Sequence, residues 1–226
     1  MRSASNICPK HFVEVVSPIL ERRDVHGLVA SIKRNWTIAD VASLLDNPSC
    51  DARKVAALAL SLIGTSCCLK SLARQLHDPD PVVSQMAEHA MWSIWLRAGN
   101  ERANGHVARG TQLLARKDLD GAAEQFTLAI QEDPTFAEAH NQRAMVYYLQ
   151  EKFERSLADC RKTTELQPLH FGAWAGMGHC HACLGQVREA VECYRQAKLI
   201  NPHLDCVDDL IHQLDCECDG CEEDDD

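Results

Sequence analysis

Apolar residues along most of this chain recur at three- and four-residue intervals, the spacing that places them on one face of a helix. No stretch alternates apolar and polar residues as a half-buried strand would. The apolar stripes are interrupted at short intervals by proline, glycine or Asp-Pro turns, so the pattern predicts many short amphipathic helices joined by tight turns. HFVEVVSPILERRDVHGLVASIKRNW reads as one or two such helices, with Pro18 and Gly27 as expected interruptions. HLDCVDDLIHQL, after Pro202, places Leu204, Val207, Leu210, Ile211 and Leu214 on one face with acids on the other.

The helices are periodic. A 34-residue shift aligns Gly110, Ala144 and Gly178, then Ala122, Ser156 and Ala190, then Phe126, Cys160 and Tyr194. It also aligns Ala129, Thr163 and Ala197, and finally Pro134, Pro168 and Pro202. Small residues in two columns let paired helices approach, the large or thiol column fills the space between them, and proline ends each second helix. Upstream, a 31-residue shift sets Pro48 over Pro79, Ala56 over Ala87, Ala59 over Ala90 and Ile63 over Ile94. The expected architecture is an all-α solenoid of helical hairpins, a right-handed superhelix.

The 34-residue pattern resembles the tetratricopeptide repeat, with units at 103–136, 137–170 and 171–204. The third unit carries Trp174, Gly178, Gly185, Ala190, Tyr194, Ala197 and Pro202 at family positions. His140, Ser156 and Thr163 in the second unit, and His181 in the third, depart from the usual residues; His181 is expected to reach water with its polar edge. The Asp-Pro turn followed by an Ala-rich helix at 38–98 resembles HEAT-type repeats. Residues 1–37 are then expected to cap one end, residues 205–215 to form a capping helix, and residues 216–226 to be a disordered acidic tail.

Composition narrows the function. The net charge is −10. Eleven of the 33 Asp and Glu lie from His203 onward, where there is no Lys or Arg, so residues 1–202 carry 22 acidic against 23 basic groups. A body without a basic stripe argues against nucleic acid. No apolar run approaches a bilayer span and the N-terminus has no secretory pattern, so no membrane role and a cytoplasmic location are expected. The 12 cysteines fall largely where helices bury small residues, which favours reduced thiols over a disulfide framework.

Two Cys/His groups invite a metal reading. In AWAGMGHCHACLG, His179 and Cys183 share a helix face while Cys180 and His181 turn away, so the four cannot converge on one tetrahedral ion. His212, Cys216, Cys218 and Cys221 have a spacing that could wrap a soft metal, against the alternative of a solvated tail. No phosphate-cradling loop, G-x-S-x-G or H-E-x-x-H motif is present, and no enzyme activity or cofactor is expected.

By resemblance to the family, the first helix of each unit lines a concave groove. The groove positions fall on Asn104, Val107, Thr111, Leu114 and Ala115, on Glu138, Asn141, Met145, Tyr148 and Leu149, and on Gly172, Ala175, His179, Ala182 and Cys183. None is Lys or Arg, which disfavours the clamp by which some family members hold a peptide's terminal carboxylate. The reading is a non-catalytic adaptor that binds a peptide or protein segment through apolar anchors; the alternative is a groove filled by the chain's own cap or N-terminal helices. The rival functions are a metal- or thiol-responsive regulator and, more remotely, a bilin-lyase-like helical enzyme.

Overall fold

The structure is a computed structural model that describes residues 7–22 and 24–219, with side chains throughout except those of Leu20, Cys206 and residues 215–219. Among the described residues there are thirteen α-helices and no strand. The chain divides into two compact units, Met1–Trp95 and Leu96–Asp226.

The first unit holds α1 (Pro9–Glu21), α2 (Val25–Asn35), α3 (Ile38–Ser43), α4 (Cys50–Ile63), α5 (Leu69–Gln75) and α6 (Pro81–Trp95). Neither expected interruption falls where the proline and glycine stand: Pro18 lies inside α1, and Gly27 lies in the first turn of α2. Proline only removes one intrahelical hydrogen bond when the helix is held by packing on its apolar face, here through Phe12 and Val16. α1 instead runs to Glu21, and the Asp24 carboxylate accepts from Gly27 N at 2.8 Å and starts α2.

The 31-residue columns have a physical basis. Ala56, Ala59 and Ile63 of α4 and Ala87, Ala90 and Ile94 of α6 are all buried, and the two helices pack on each other. Arg53 locks the turns that precede them. It makes two bonds to Asp78, Nε to Oδ2 at 2.7 Å and Nη2 to Oδ1 at 3.0 Å, and also donates to the carbonyls of Asn47 and Pro48.

The second unit is built from three antiparallel hairpins and a final helix. The hairpins are α7 (Glu101–Ala115) with α8 (Leu119–Glu132), α9 (Ala137–Leu149) with α10 (Phe153–Leu166), and α11 (Phe171–Cys183) with α12 (Val187–Ile200). Each second helix also packs on the next first helix, α8 on α9 and α10 on α11, which is the stacking of a solenoid.

Small residues permit the close hairpin packing. A Cβ added at Gly110 would lie 2.6 Å from Phe126 Cε1, and one at Gly178 would lie 2.5 Å from Tyr194 Cδ1. Between them, Ala144 faces the thinner Cys160 and Ser156, whose hydroxyl donates to the Ala144 carbonyl at 2.8 Å.

The inter-helix turn repeats as well. Lys117, Glu151 and Gly185, 34 residues apart, all have positive φ, at 63°, 58° and 71°. In each, the N–H one residue later returns to the carbonyl five residues back: Asp118 to Leu113, Lys152 to Tyr147 and Gln186 to His181. That bond is the Schellman closure, which demands a left-handed residue.

The array ends on α13 (Asp205–Asp219). Val207 and Leu214 are buried against Ala190, Val191 and Tyr194, with Leu204, Leu210 and Ile211 packed at the edge. This helix runs four residues into the segment expected to be a tail, since nothing before Gly220 breaks a helix. The remainder of that tail, 220–226, lies outside the described residues.

Candidate partner-binding groove

The first helices α7, α9 and α11 lie side by side, α7 against α9 and α9 against α11, and offer one shared face. Its centre is apolar and open. Met145 and Leu149, one turn apart on α9, are 42% and 52% exposed. Thr111 and Ala115 on α7 and Cys183 on α11 are also exposed, while Leu114, Asn141, Tyr148, Gly172, Ala175, His179 and Ala182 are half-buried.

An aromatic run stiffens this face. The Tyr148 ring lies 5.7 Å from Phe153 and 6.0 Å from His179, and the His179 ring lies 5.3 Å from Tyr194. His179 Nδ1 and the Tyr194 hydroxyl are hydrogen-bonded at 2.8 Å, and the Cys183 thiol donates to the Tyr148 hydroxyl at 3.8 Å. Burial lowers the pKa of His179, which keeps the imidazole neutral at neutral pH. The hydrogen bond with Cys183 and then burial raise that of Tyr148, so its hydroxyl stays protonated.

Three expected groove residues are taken up by contacts within the fold. Val107 is 3% exposed, packed in the core with Ala103, Phe126 and Ala139. Glu138 is 1% exposed because His170, at the cap of α11, closes over it. His170 Nδ1 accepts from Ala173 N at 3.1 Å, so Nε2 carries the proton and donates to Glu138 Oε2 at 2.8 Å. Gln142 and Asn141 supply further donors to the same carboxylate. Asn104 is committed too: its amide donates to the carbonyls of Gly99 and Arg97, tying the segment before α7 to that helix.

Among the described residues the remaining Cys and His side chains do not form a donor set. Cys180 is buried and donates to the Ser156 hydroxyl at 3.2 Å. His181, expected to reach water, is only 6% exposed and is hydrogen-bonded to Gln186 across the turn it borders. Burial raises the pKa of Cys160 and Cys180, and pushes that of Cys193 up to about 11. Such thiols are packing groups and poor nucleophiles or ligands at neutral pH. Among the described residues no three His, Cys, Asp or Glu side chains are grouped to hold a metal ion. His212 is exposed on α13, the side chains of Cys216 and Cys218 lie outside the described residues, and so does Cys221.

A second, polar constellation lies on the other side of α9, and sequence reasoning missed it. Arg143 crosses from Thr127 on α8 to Asp159 on α10, with Nη1 3.1 Å from Thr127 Oγ1 and Nε and Nη2 at 2.7 and 2.8 Å from the two carboxylate oxygens. The guanidinium also lies 5.7 Å from the Tyr147 ring. The only signal was the spacing: an Arg and an Asp 16 residues apart, each at a core-facing register position.

Stacked helical hairpins with an open inner face define an α-solenoid. The tetratricopeptide repeat family model matches residues 171–204, the third hairpin. A tetratricopeptide repeat-containing protein of Caenorhabditis elegans, trd-1, is 31% identical over 86 residues, which is 38% of this chain and 11% of that protein. The chain therefore spans about a tenth of the length of that relative, and 12% of the bimA protein of Emericella nidulans. The first TPR domain of human RPAP3 superposes with a TM-score of 0.53 at 19% identity, covering 56% of this chain and all of that domain. A solved first TPR of Spaghetti (RPAP3), bound to the HSP90 peptide SRMEEVD, has a TM-score of 0.52 at 19% identity, covering 52% and 94%. No helix of the described residues is long and apolar enough to cross a membrane.

Proposed function

We propose that this chain is a non-catalytic adaptor whose tetratricopeptide array holds a peptide or protein segment on the face formed by α7, α9 and α11. The observation that carries the reading is the pair Met145 and Leu149. Two large apolar side chains stand exposed on the middle helix of a stiff array, flanked by Tyr148 and Cys183, and α13 packs on α12 without covering them. Fixed apolar anchors beside a half-buried aromatic are how a groove binds an extended or helical segment.

The structure with SRMEEVD supplies the fold and no partner, because its identity to this chain is low. The present groove also has different chemistry. Its accessible positions include Thr111, Leu114, Asn141, Met145, Tyr148, Leu149, Ala175, His179 and Cys183, and no expected groove position is a Lys or Arg that could hold a terminal carboxylate. The favoured ligand is a segment recognised through apolar side chains. Affinity capture from cell extract with the wild type and with a Met145→Glu, Leu149→Glu double variant tests this. A partner kept by the first and lost by the second, with both showing the same circular dichroism, supports the groove; identical captures remove it from consideration.

A further inference from the structure

The short connection from α4 to α5, residues 64–68, belongs to the first unit, whereas the proposed groove lies in the second. Its backbone is held tight: Cys68 N donates to the Thr65 carbonyl at 2.9 Å, and Leu69 N donates to that of Ser66. Ser66–Cys68 form a single 3-10 turn. Three residues per turn point adjacent side chains about 120° apart, so neighbouring thiols on such a turn have no backbone reason to meet. These two do meet, with Cys67 Sγ and Cys68 Sγ 3.9 Å apart.

The pair is asymmetric. Cys67 is exposed, whereas Cys68 is 1% exposed and is followed by buried Leu69 and Leu72. An oxidant arriving from water therefore reaches Cys67 first. The Thr65 hydroxyl lies 3.0 Å from Cys67 Sγ and can donate to it when the sulfur carries charge. Cys68 then stands beside the oxidised sulfur while itself sheltered from the oxidant. An accessible thiol in contact with a second one is the arrangement that captures a sulfenic acid before it is oxidised further.

We infer that Cys67 and Cys68 are a peroxide-reactive dithiol that closes reversibly to a disulfide between adjacent residues. The Cys67 thiolate attacks one oxygen of a hydroperoxide, the O–O bond breaks, and the sulfur becomes a sulfenic acid as the other oxygen leaves as water or an alcohol. The Cys68 thiolate then attacks the sulfenyl sulfur, the S–O bond breaks, and that oxygen leaves as water. Two thiols lose two electrons and two protons, and the peroxide takes up both. The sulfurs close from 3.9 Å to about 2.0 Å. Adjacent Cα atoms lie about 3.8 Å apart across a trans peptide, short of the usual disulfide range of about 4.4–6.8 Å, so the bridge is strained and easily reduced. Labile bridges of this kind suit a reversible modification better than a structural staple.

The test treats the reduced full chain with hydrogen peroxide under native conditions, then alkylates it in denaturant and digests it with trypsin. Cleavage after Lys54 and Lys70 releases residues 55–70, whose only cysteines are Cys67 and Cys68. That peptide is expected to be lighter by two hydrogens and to carry no alkyl group. It should return to the doubly alkylated form when dithiothreitol precedes alkylation. Cys67→Ser changes an exposed side chain and should abolish closure, leaving Cys68 alkylated. Cys68→Ala keeps an apolar side chain in the core; with its helicity checked by circular dichroism, it should lose closure and leave a Cys67 sulfenic acid that dimedone traps. Double alkylation of the wild-type peptide after peroxide, a Cys67 sulfinic acid beside an alkylated Cys68, or Cys67 bridged to a cysteine of another peptide would each overturn the assignment.

Discussion

Asp159→Ala removes the acceptor of a two-pronged ion pair and leaves a guanidinium whose side chain is 19% exposed. Removing one partner of a fully buried pair costs about 3–5 kcal/mol. Arg143 keeps its bond to Thr127 and a little solvent, so a loss of about 2–3 kcal/mol is expected. Arg143→Met leaves Asp159, only 9% exposed, with His140 Nδ1 at 3.5 Å as its remaining side-chain partner, and should cost about 1–3 kcal/mol. The double variant Arg143→Met, Asp159→Cys installs the pair that the third hairpin packs at Met177 and Cys193. It should fall within about 1 kcal/mol of wild type, because apolar replacement of a buried pair is often neutral. The double-mutant cycle thus has a coupling of about 2 kcal/mol or more.

Urea unfolding followed by far-ultraviolet circular dichroism and by tryptophan fluorescence gives the free energies, provided that the two probes coincide. The pH dependence has a definite sign. Burial would raise the Asp159 pKa, but the bonds from Arg143, and after them the contact with His140, outweigh it and hold the carboxyl below its ordinary value. A lowered folded pKa gives stability that is present above the unfolded value of about 4 and is lost as pH falls through the folded one. The gap between wild type and Asp159→Ala should therefore narrow below about pH 4. Additive single substitutions, or a gap that ignores pH down to acid unfolding, would show that the Arg143–Asp159 pair does not contribute this stability.

Other expectations follow from backbone, packing and thiol chemistry. Lys117→Gly and Glu151→Gly, at φ of 63° and 58°, should each raise stability by about 0.5–1 kcal/mol in the same assay, while Gly185→Ala should lower it by about 1 kcal/mol. Gly178→Ala drives a methyl into the Tyr194 ring and should cost about 1–3 kcal/mol, seen as a lowered thermal midpoint. In native iodoacetamide labelling at pH 8 with peptide mass spectrometry, exposed Cys183 should react and buried Cys160, Cys180 and Cys193 should not; equal labelling would contradict the packing.

The repeat was legible in the sequence where side-chain size itself repeats. Glycine opposite a large ring at Gly110 with Phe126, and at Gly178 with Tyr194, is a volume relation that survives translation into letters. The turn was not, because what recurs at Lys117, Glu151 and Gly185 is a backbone angle, and only the glycine advertises it. Glu138 was misplaced for a related reason. Its burial depends on His170, a residue 32 positions later that reaches back from the cap of the next hairpin, and no single-unit register contains that information. Pro18 and Gly27 misled because local breaking signals were outweighed by packing and by the Asp24 cap.

The open face of α9 is proposed as the binding surface. Site-specific photo-crosslinking addresses it most directly, with benzoylphenylalanine placed at Leu149 in the groove or at exposed Glu124 on α8 and the full chain irradiated in cell extract. A discrete crosslinked partner is expected from position 149, absent from position 124 and suppressed by Met145→Glu. Equal or absent crosslinking at the two positions, with both variants folded, would contradict it.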